Sequence, residues 1–359
     1  MSFKPRIVAD RSSLDLARQA YREISLYAPD RSPCRIDISD NTNLYGIPPA
    51  AERAYREAAV STLTRYPQLY AQQLKAALAS YAEVSVAEVV TGCGSDDVLD
   101  SAIRAFAEPG ETLAVCDPTF AMVPIFAQMN GLKTVKVPLT RTFDIDPDGL
   151  AGTGARVVYV CSPNNPTGTL ASRRSIERLL EKAQGIVVLD EAYAEFSQQE
   201  AFLKIAPSYD RLLVVRTLSK AFGLAGLRIG YAVGPAGLVA EVEKSRGPYK
   251  VSGSAERVAT VALTEDRPWV DEKIADVIQN RERLAQELRQ MGLSPIPSFS
   301  NFLLVPVRDA QGLAKLMRQE GVAIRPFPEL QGIGDAVRIS VGPWEMMEAA
   351  LAALAKVLA

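Results

Sequence analysis

The sequence predicts an α/β protein with a mostly parallel central sheet covered by helices, plus a smaller α+β domain. In the middle of the chain, short runs of Val, Ile and Leu alternate with helical patterns such as those at 97–106 and 175–183. Unbroken apolar runs between helices are typical of parallel strands that are buried on both faces. The predicted strands are EVVTG (88–92), TLAVCD (112–117), ARVVYVC (155–161), GIVVLD (185–190), RLLVVRT (211–217) and RIGYAVG (228–234).

The last third of the chain has a different pattern. A long, charged amphipathic helix is predicted over 270–291, and a strand-like NFLLVPV (301–307) follows it. Further short strands and a closing Ala/Leu-rich helix complete an α+β arrangement. We therefore predict a large α/β domain, 41–265, and a small domain built from 266–359 together with an N-terminal arm, 1–40.

Composition and charge narrow the classes of function. The 359 residues are 48% hydrophobic and 23% charged, which suits two domains with a buried core. A net charge of −2 argues against nucleic acid or an anionic membrane as the main partner. The start of the chain lacks a signal-peptide core, and no stretch is apolar for the length of a membrane helix. The 4 cysteines form no CxxC pair, so we expect no metal site and a cytoplasmic location. Three of them lie in or beside apolar runs, where we expect buried thiols.

The chain contains 0 histidines. This excludes histidine-based catalytic triads, imidazole metal ligands and histidine general bases. Acid–base chemistry near neutral pH must use another residue, and a lysine with a lowered pKa is the usual substitute.

One lysine directly follows a predicted buried strand, in the string RTLSKAFGLAGLR (216–228). Schiff-base chemistry at Lys220 would need an amine that is largely uncharged when it attacks a carbonyl. Thr217, Ser219 and Arg228 could hold a phosphate by hydrogen bonds and charge. A lone lysine in a Gly-rich turn is more often a surface residue, but the whole string is far more specific.

Two further strand ends carry residues suited to an aromatic cofactor. Asp190 ends the GIVVLD run, where a carboxylate is costly to bury, and beside a pyridine nitrogen it would keep that nitrogen protonated. Tyr193 and, within SPNNPTG, Asn165 could hydrogen-bond the phenolic oxygen of the ring. Taken singly, these residues are also typical of a helix N-cap, a half-buried tyrosine and an ordinary turn.

A Gly-rich turn in TGCGSDDVLD opens a predicted helix. The free N–H groups and the dipole of such a helix favour a phosphate, with Gly94, Ser95 and Asp96 as the cradle. Phe120 follows another strand end and could stack on an aromatic ring, although a lone aromatic residue is more often part of the core. Tyr66 could be a further phosphate donor or an interface residue.

In this order and spacing, SPNNPTG, DEAY and TLSKAFGLAGLR resemble the class I/II aminotransferases of fold type I, which use pyridoxal 5'-phosphate. The resemblance runs from about residue 24 to the C-terminus. It implies that Lys220 is the Schiff-base lysine and general base and that Asp190 pairs with the pyridine nitrogen. Tyr193 and Asn165 would contact the phenolic oxygen. The phosphate would be surrounded by Gly94, Ser95, Asp96, Thr217, Ser219 and Arg228.

The same resemblance implies roles for two further residues near the cofactor and predicts a second subunit. Phe120 takes the place where the family usually stacks a tyrosine on the ring. Tyr66 would reach the cofactor phosphate of a neighbouring subunit. A homodimer with shared active sites is therefore expected.

On the substrate side, the run AVRISVG resembles the family's substrate-binding strand, which makes Arg338 an anion clamp. Arg325 matches a second anion-binding arginine, and Tyr27 and Asn301 match other positions of the pocket. The entrance segment DNTNLYG departs from the family pattern Asn-Glu-Asn-Pro: Thr and Leu replace the Glu and Pro, whereas Asn43 is retained. This departure leaves the amino donor open.

Within the family, the chain most resembles the enzymes that act on histidinol phosphate. The resemblance implies ping-pong interconversion of L-histidinol phosphate plus 2-oxoglutarate and imidazole-acetol phosphate plus L-glutamate, a step of histidine biosynthesis. Planar guanidinium groups suit both the phosphate and the carboxylates of these substrates. The alternatives are an aminotransferase for aromatic or other amino acids and a lyase of the threonine-phosphate decarboxylase type. Regulators built on this fold usually carry a DNA-binding domain, and we expect none here because the N-terminal segment is short.

Overall fold

The computed structural model describes residues 16–26, 28–30, 32–58, 60–199 and 201–358. Its strands are β1 (Ile36–Asp37), β2 (Val89–Cys93), β3 (Thr112–Asp117), β4 (Lys133–Pro138), β5 (Val157–Cys161), β6 (Ile186–Asp190), β7 (Leu212–Thr217), β8 (Ile229–Val233), β9 (Phe302–Pro306), β10 (Val322–Ala323), β11 (Arg325–Leu330) and β12 (Gly334–Ser340).

The α-helices follow the same chain order. They are α1 (Gln19–Arg22), α2 (Pro49–Arg56), α3 (Gln72–Ala82), α4 (Gly94–Phe106), α5 (Met122–Met129), α6 (Pro147–Gly152), α7 (Arg173–Lys182), α8 (Ala236–Lys244), α9 (Gly253–Glu265), α10 (Arg267–Gln290), α11 (Ala310–Gln319) and α12 (Trp344–Leu358). Short 3-10 helices lie at Val60–Thr64, Leu69–Ala71, Val86–Glu88, Ala194–Phe196, Leu203–Ser208 and Ala225–Leu227. Within the described ranges, no helix is long and apolar enough to cross a membrane.

The central sheet has the strand order β2-β8-β7-β6-β5-β3-β4 in the described part of the chain. Neighbouring strands from β7 through β4 are parallel, and β8 runs antiparallel to both β7 and β2. The prediction of a mostly parallel sheet is confirmed. Because β8 is reversed, its first residue lies at the edge where the other strands have their carboxyl ends.

Helices cover both faces of this sheet, as the unbroken apolar runs predicted. On one face, α4, α5 and α8 pack on alternate strand residues such as Val115 and Val188. On the other face, α3, α7 and α9 pack on the intervening residues such as Val158 and Leu189. The helix α7 illustrates the local cause: Ser172 caps its N-terminus, and its buried Ile and Leu residues recur at helical spacing on one side.

A second, antiparallel sheet has the order β11-β12-β9, and β1 pairs in parallel with β10. The helix α10 is the long helix predicted over 270–291. It begins at Arg267, about one turn earlier than expected. The N-terminal segment contacts both parts: Asp30 forms an ion pair with Arg318, while the carbonyl of Ala20 accepts a hydrogen bond from Gln128 beside the central sheet. The domain bounds 41–265 and 266–359 remain a prediction.

Candidate active site

The carboxyl ends of the parallel strands open into a cavity of about 600 Å³ that β11 and β12 close from the opposite side. This is the edge at which open α/β sheets bind ligands. The cavity brings together most of the predicted site residues. Those that line it are Ser95, Asp96, Phe120, Asn165, Asp190, Tyr193, Thr217, Ser219, Lys220, Arg228, Arg325 and Arg338.

One end of the cavity is an anion cup at the N-terminus of α4. Gly94 begins this helix with a φ of 82°, and a Cβ there would collide with the guanidinium of Arg228. A Cβ on Gly230 would collide with the backbone of Gly94 and Ser95, so glycine at 230 lets β8 approach the start of the helix. Ser95 and Arg228 therefore converge with unpaired helix N–H groups on one small space, which suits a phosphate.

Two hydroxyl groups at the end of β7 complete the anion cup. The Thr217 hydroxyl donates a hydrogen bond to the Ser219 hydroxyl at 2.9 Å, and both residues line the cavity. Arg228 Nη2 lies 3.3 Å from Asp96 Oδ2, which holds the guanidinium at the rim. These groups provide both charge and hydrogen bonds for an anion.

Lys220 lies next to this cup. Its Nζ is 3.4 Å from the carbonyl oxygen of Asp40 and 5.7 Å from the centroid of the Tyr193 ring. Burial, together with the positive charges of Arg338 and Arg228, lowers the pKa of Lys220 to about 8. Such an amine is uncharged at pH 7 about 10²-fold more often than an ordinary lysine. Lys220 is therefore suited to attack a carbonyl and to move protons.

Asp190 lies at the end of β6 and is 4% exposed. Its Oδ2 accepts a hydrogen bond from the Tyr159 hydroxyl at 2.7 Å, and its Oδ1 accepts one from the backbone N–H of Ala192 at 3.0 Å. Burial raises the pKa of Asp190 to about 6 despite these two bonds. A cationic ring nitrogen beside the carboxylate would offset that burial and favour the charged form.

Tyr193 and Asn165 flank the middle of the cavity. The Tyr193 hydroxyl accepts a hydrogen bond from Asn41 Nδ2 at 3.2 Å, and burial raises the pKa of Tyr193 to about 12. Its own proton is thus retained and can be donated into the cavity. Asn165 Oδ1 accepts from Arg338 Nη1 at 2.7 Å, so Nδ2 is the group of that amide that can donate to a ligand oxygen.

The side opposite the sheet carries the two predicted arginines. Arg338 also donates from Nη2 to the carbonyl of Ser39 at 2.8 Å, and its guanidinium lies 5.3 Å from the Phe327 ring. Arg325 Nη2 lies 3.6 Å from Asp40 Oδ1. Two guanidinium groups thus line this side of the cavity. The guanidinium of Arg338 is fixed by neutral carbonyl and amide oxygens, and that of Arg325 lies beside a carboxylate.

Several predicted residues lie outside the cavity lining. Asn301 is buried and donates to the carbonyl of Asn41 at 3.0 Å, and Asn43 donates to the carbonyl of Ala221 at 3.0 Å. Tyr66 is 83% exposed and stacks on Tyr249. Tyr27, predicted as a substrate contact, lies outside the described residues.

Asp40, Asn41 and Tyr159 are among the residues that the fold brings to the site and that the sequence did not predict. Asp40 and Asn41 line the cavity, although this segment drew attention only through its departure from the family pattern. Asn41 has a φ of 56°, a left-handed conformation that asparagine tolerates better than most residues. Tyr159 lies under Asp190 within an apolar run, where the one signal was a hydroxyl that must find a partner once it is buried.

Residues 35–354 match the family described as Aminotransferase class I and II. The chain belongs to this family. The match spans both sheets and every part of the cavity described above.

Curated relatives and solved structures agree with this assignment. A histidinol-phosphate aminotransferase of Roseiflexus castenholzii is 38% identical over 335 residues, which cover 90% of this chain and 89% of that protein. A histidinol-phosphate aminotransferase of Thermoanaerobacter pseudethanolicus is 31% identical, covering 92% and 95% of the two chains. The Sinorhizobium meliloti histidinol-phosphate aminotransferase, solved in complex with pyridoxal-5'-phosphate, superposes with a TM-score of 0.88 at 26% identity and covers 97% of this chain and 99% of that one. Aspartate aminotransferase from Thermus thermophilus shares the fold, with a TM-score of 0.77 at 23% identity and coverage of 90% and 92%.

Proposed function

We propose that this chain is a pyridoxal-phosphate-dependent aminotransferase that interconverts L-histidinol phosphate plus 2-oxoglutarate and imidazole-acetol phosphate plus L-glutamate. The observation that carries the proposal is the position of Lys220 in one cavity with an anion cup, the buried Asp190 and two arginines. The names of the relatives support the same reaction. The 4 free cysteines support a reducing, cytoplasmic location.

The residues at the two ends of the cavity have the chemistry that the phosphate and the ring nitrogen of pyridoxal phosphate require. A volume of about 600 Å³ is within the usual range for a cofactor site. The cup formed by Ser95, Thr217, Ser219 and Arg228 would hold the phosphate, and the collision expected for a Cβ at Gly94 shows how closely the cup is packed. Asp190 would face the ring nitrogen. The bound cofactor supplies an aldehyde for amino-group transfer and a ring that serves as an electron sink.

Lys220 performs the proton transfer in this proposal. With a pKa of about 8, its Nζ can be uncharged near neutral pH and can accept the proton from the substrate's α-carbon. The guanidinium groups of Arg338 and Arg228 favour the neutral amine, so the base does not become trapped in its protonated form. Tyr193 would donate a hydrogen bond to the phenolic oxygen of the bound cofactor, and Asn165 Nδ2 would donate another to the same oxygen.

The two arginines explain how one cavity accepts two different substrates. Arg338 is held in place by Asn165 and Ser39, so it can orient a carboxylate or phosphate without a large loss of side-chain freedom. Arg325 sits beside Asp40, and a dianionic group entering the cavity would compete with that carboxylate. Histidinol phosphate brings such a group, whereas glutamate brings two singly charged carboxylates that can bind the same guanidinium groups.

The substrate assignment is tested by glutamate formation from 2-oxoglutarate with L-histidinol phosphate as donor, compared with L-histidinol, which lacks the phosphate. We expect kcat/KM to be at least about 10²-fold higher for the phosphorylated donor, because charge-assisted bonds to the arginines are lost with the phosphate. Preference for phenylalanine or tyrosine would instead indicate an aromatic aminotransferase. Release of CO2 without consumption of an oxo acid would indicate a lyase.

We further propose that the active enzyme is a homodimer in which Tyr66 contributes to the neighbouring site. Tyr66 is 83% exposed, and Leu63 and Leu69 beside it are also largely exposed. Its ring stacks on Tyr249 with centroids 4.8 Å apart. An exposed apolar cluster of this kind favours a protein interface.

Hybrid dimers test the shared site. When Lys220→Ala and Tyr66→Ala chains are co-expressed, each hybrid has one site with both native residues, so activity should rise well above the sum of the two separate homodimers. The measurement is transamination by hybrids purified with two different affinity tags. Activity equal to the average of the two homodimers would mean that Tyr66 serves its own subunit or no site at all.

A further inference from the structure

A buried tyrosine lies beneath the carboxylate of the candidate site. Tyr159 is on β5 and is 1% exposed, and its hydroxyl donates to Asp190 Oδ2, at the end of the adjacent strand β6, at 2.7 Å. The backbone N–H of Ala192 donates to the other carboxylate oxygen at 3.0 Å. Each oxygen of Asp190 therefore has a donor from the protein before any ligand binds.

We propose that Tyr159 is a positioning residue for the proposed transamination: it orients the Asp190 carboxylate and keeps it ionised, so that Asp190 can pair with a protonated ring nitrogen. Tyr159 does not itself line the cavity, whereas Asp190 does. Its influence on a bound ring must therefore pass through Asp190. This inference rests on the proposed function, because it assumes a pyridine nitrogen beside Asp190.

The direction of the hydrogen bond supports this role. Burial raises the pKa of Tyr159 well above its ordinary value, so the phenol keeps its proton and acts as the donor. A hydrogen bond donated to the ionised form of a carboxylate lowers its pKa, which opposes the rise that burial causes at Asp190. Without Tyr159, we expect a larger share of Asp190 to be protonated and unable to carry a counter-charge.

A second buried tyrosine in the same sheet, Tyr231, provides a matched control for a substitution at Tyr159. Tyr231 on β8 is 0% exposed, and its hydroxyl has no hydrogen-bond partner among the described residues. Replacing either tyrosine by phenylalanine removes one buried hydroxyl and keeps the ring. Tyr159→Phe and Tyr231→Phe therefore differ mainly in whether the lost hydroxyl contacts Asp190.

The experiment measures the dissociation constant of two cofactors: pyridoxal phosphate and its analogue with carbon in place of the ring nitrogen. We expect Tyr159→Phe to weaken pyridoxal phosphate binding by about 10-fold to 100-fold, the usual effect of one hydrogen bond to a charged group. Tyr231→Phe should stay within about 2-fold of the native protein. Tyr159→Phe should bind the carbon analogue nearly as well as the native protein does, because that analogue has no nitrogen for Asp190 to recognise.

A double-mutant cycle with Asp190→Asn gives a second measurement. If Tyr159 acts through the carboxylate, adding Tyr159→Phe to Asp190→Asn should change pyridoxal phosphate affinity by less than about 2-fold. Equal losses with both cofactors, or equal effects of the two tyrosine variants, would overturn the inference. If the native protein itself fails to bind pyridoxal phosphate, the proposed function fails instead.

Discussion

Lys220→Ala should lower transamination by at least about 10⁴-fold, because it removes the amine proposed both to hold the cofactor and to act as the base that moves the proton. The fold should persist. The contacts of Lys220 Nζ are a long hydrogen bond to the Asp40 carbonyl and an approach to the Tyr193 ring. Loss of these contacts should change the free energy of unfolding by no more than about 1 kcal/mol.

The control for this variant is Lys136→Ala. Lys136 lies on β4 in the same sheet, forms an ion pair with Asp117 and is outside the cavity. Its loss should leave kcat and KM nearly unchanged, as expected for an exposed pair. Turnover by Lys220→Ala within about 10-fold of the native rate would contradict the role of Lys220 as base.

Asp190→Asn should lower kcat/KM by about 10²-fold to 10³-fold, the usual result of removing one partner of a buried charge pair. The change keeps the size of the side chain and one oxygen that can still accept from Tyr159. What it removes is the negative charge beside the proposed ring nitrogen. Pyridoxal phosphate affinity, measured by equilibrium dialysis, should fall with the activity.

The same substitution should not lower the free energy of unfolding of the cofactor-free protein, although it lowers activity. The folded protein binds the Asp190 proton more tightly than the unfolded chain does, since burial raises the pKa of Asp190 to about 6 from an ordinary value of about 4. Ionisation of Asp190 therefore lowers the stability of the cofactor-free protein as pH rises through this window. Cofactor-free Asp190→Asn should be at least as stable as the native protein at pH 7, which separates lost function from misfolding.

The matched control is Asp117→Asn, at the end of β3, which β5 separates from β6 in the sheet. Asp117 is half-buried and paired with Lys136, but it does not line the cavity. We expect its loss to change kcat/KM by less than about 3-fold. A similar loss of activity in both variants would show that any strand-terminal carboxylate in this sheet matters only for packing.

Much of the site could be predicted because its residues directly follow strands that unbroken apolar runs mark in the sequence. Lys220 and Asp190 come directly after apolar runs, and parallel strands bring their carboxyl ends to one edge. The strand β4 was missed, since it alternates lysines with apolar residues and lies at the edge of the sheet. Partial exposure removes the unbroken apolar run on which the prediction depended.

Other features depend on contacts between distant parts of the chain. The bond from Asn41 to Tyr193 joins residues 152 positions apart, and the ion pair of Asp40 with Arg325 joins β11 to the loop after β1. No local pattern encodes these partners, because they are distant in the sequence and come together only in the folded protein. Tyr159 could not be singled out for a different reason: its ring fits the apolar pattern of β5, and only its hydroxyl, which contacts Asp190, departs from that pattern.

Chemical trapping tests most directly whether Lys220 holds the cofactor, as we propose. The purified protein is incubated with pyridoxal phosphate, reduced with borohydride and mapped by peptide mass spectrometry. We predict a stoichiometric phosphopyridoxyl group on the peptide that contains Lys220, and none at that peptide when pyridoxal phosphate is omitted and the protein is first stripped of bound cofactor. A stoichiometric label on a different lysine, with Lys220 unmodified, would contradict the claim.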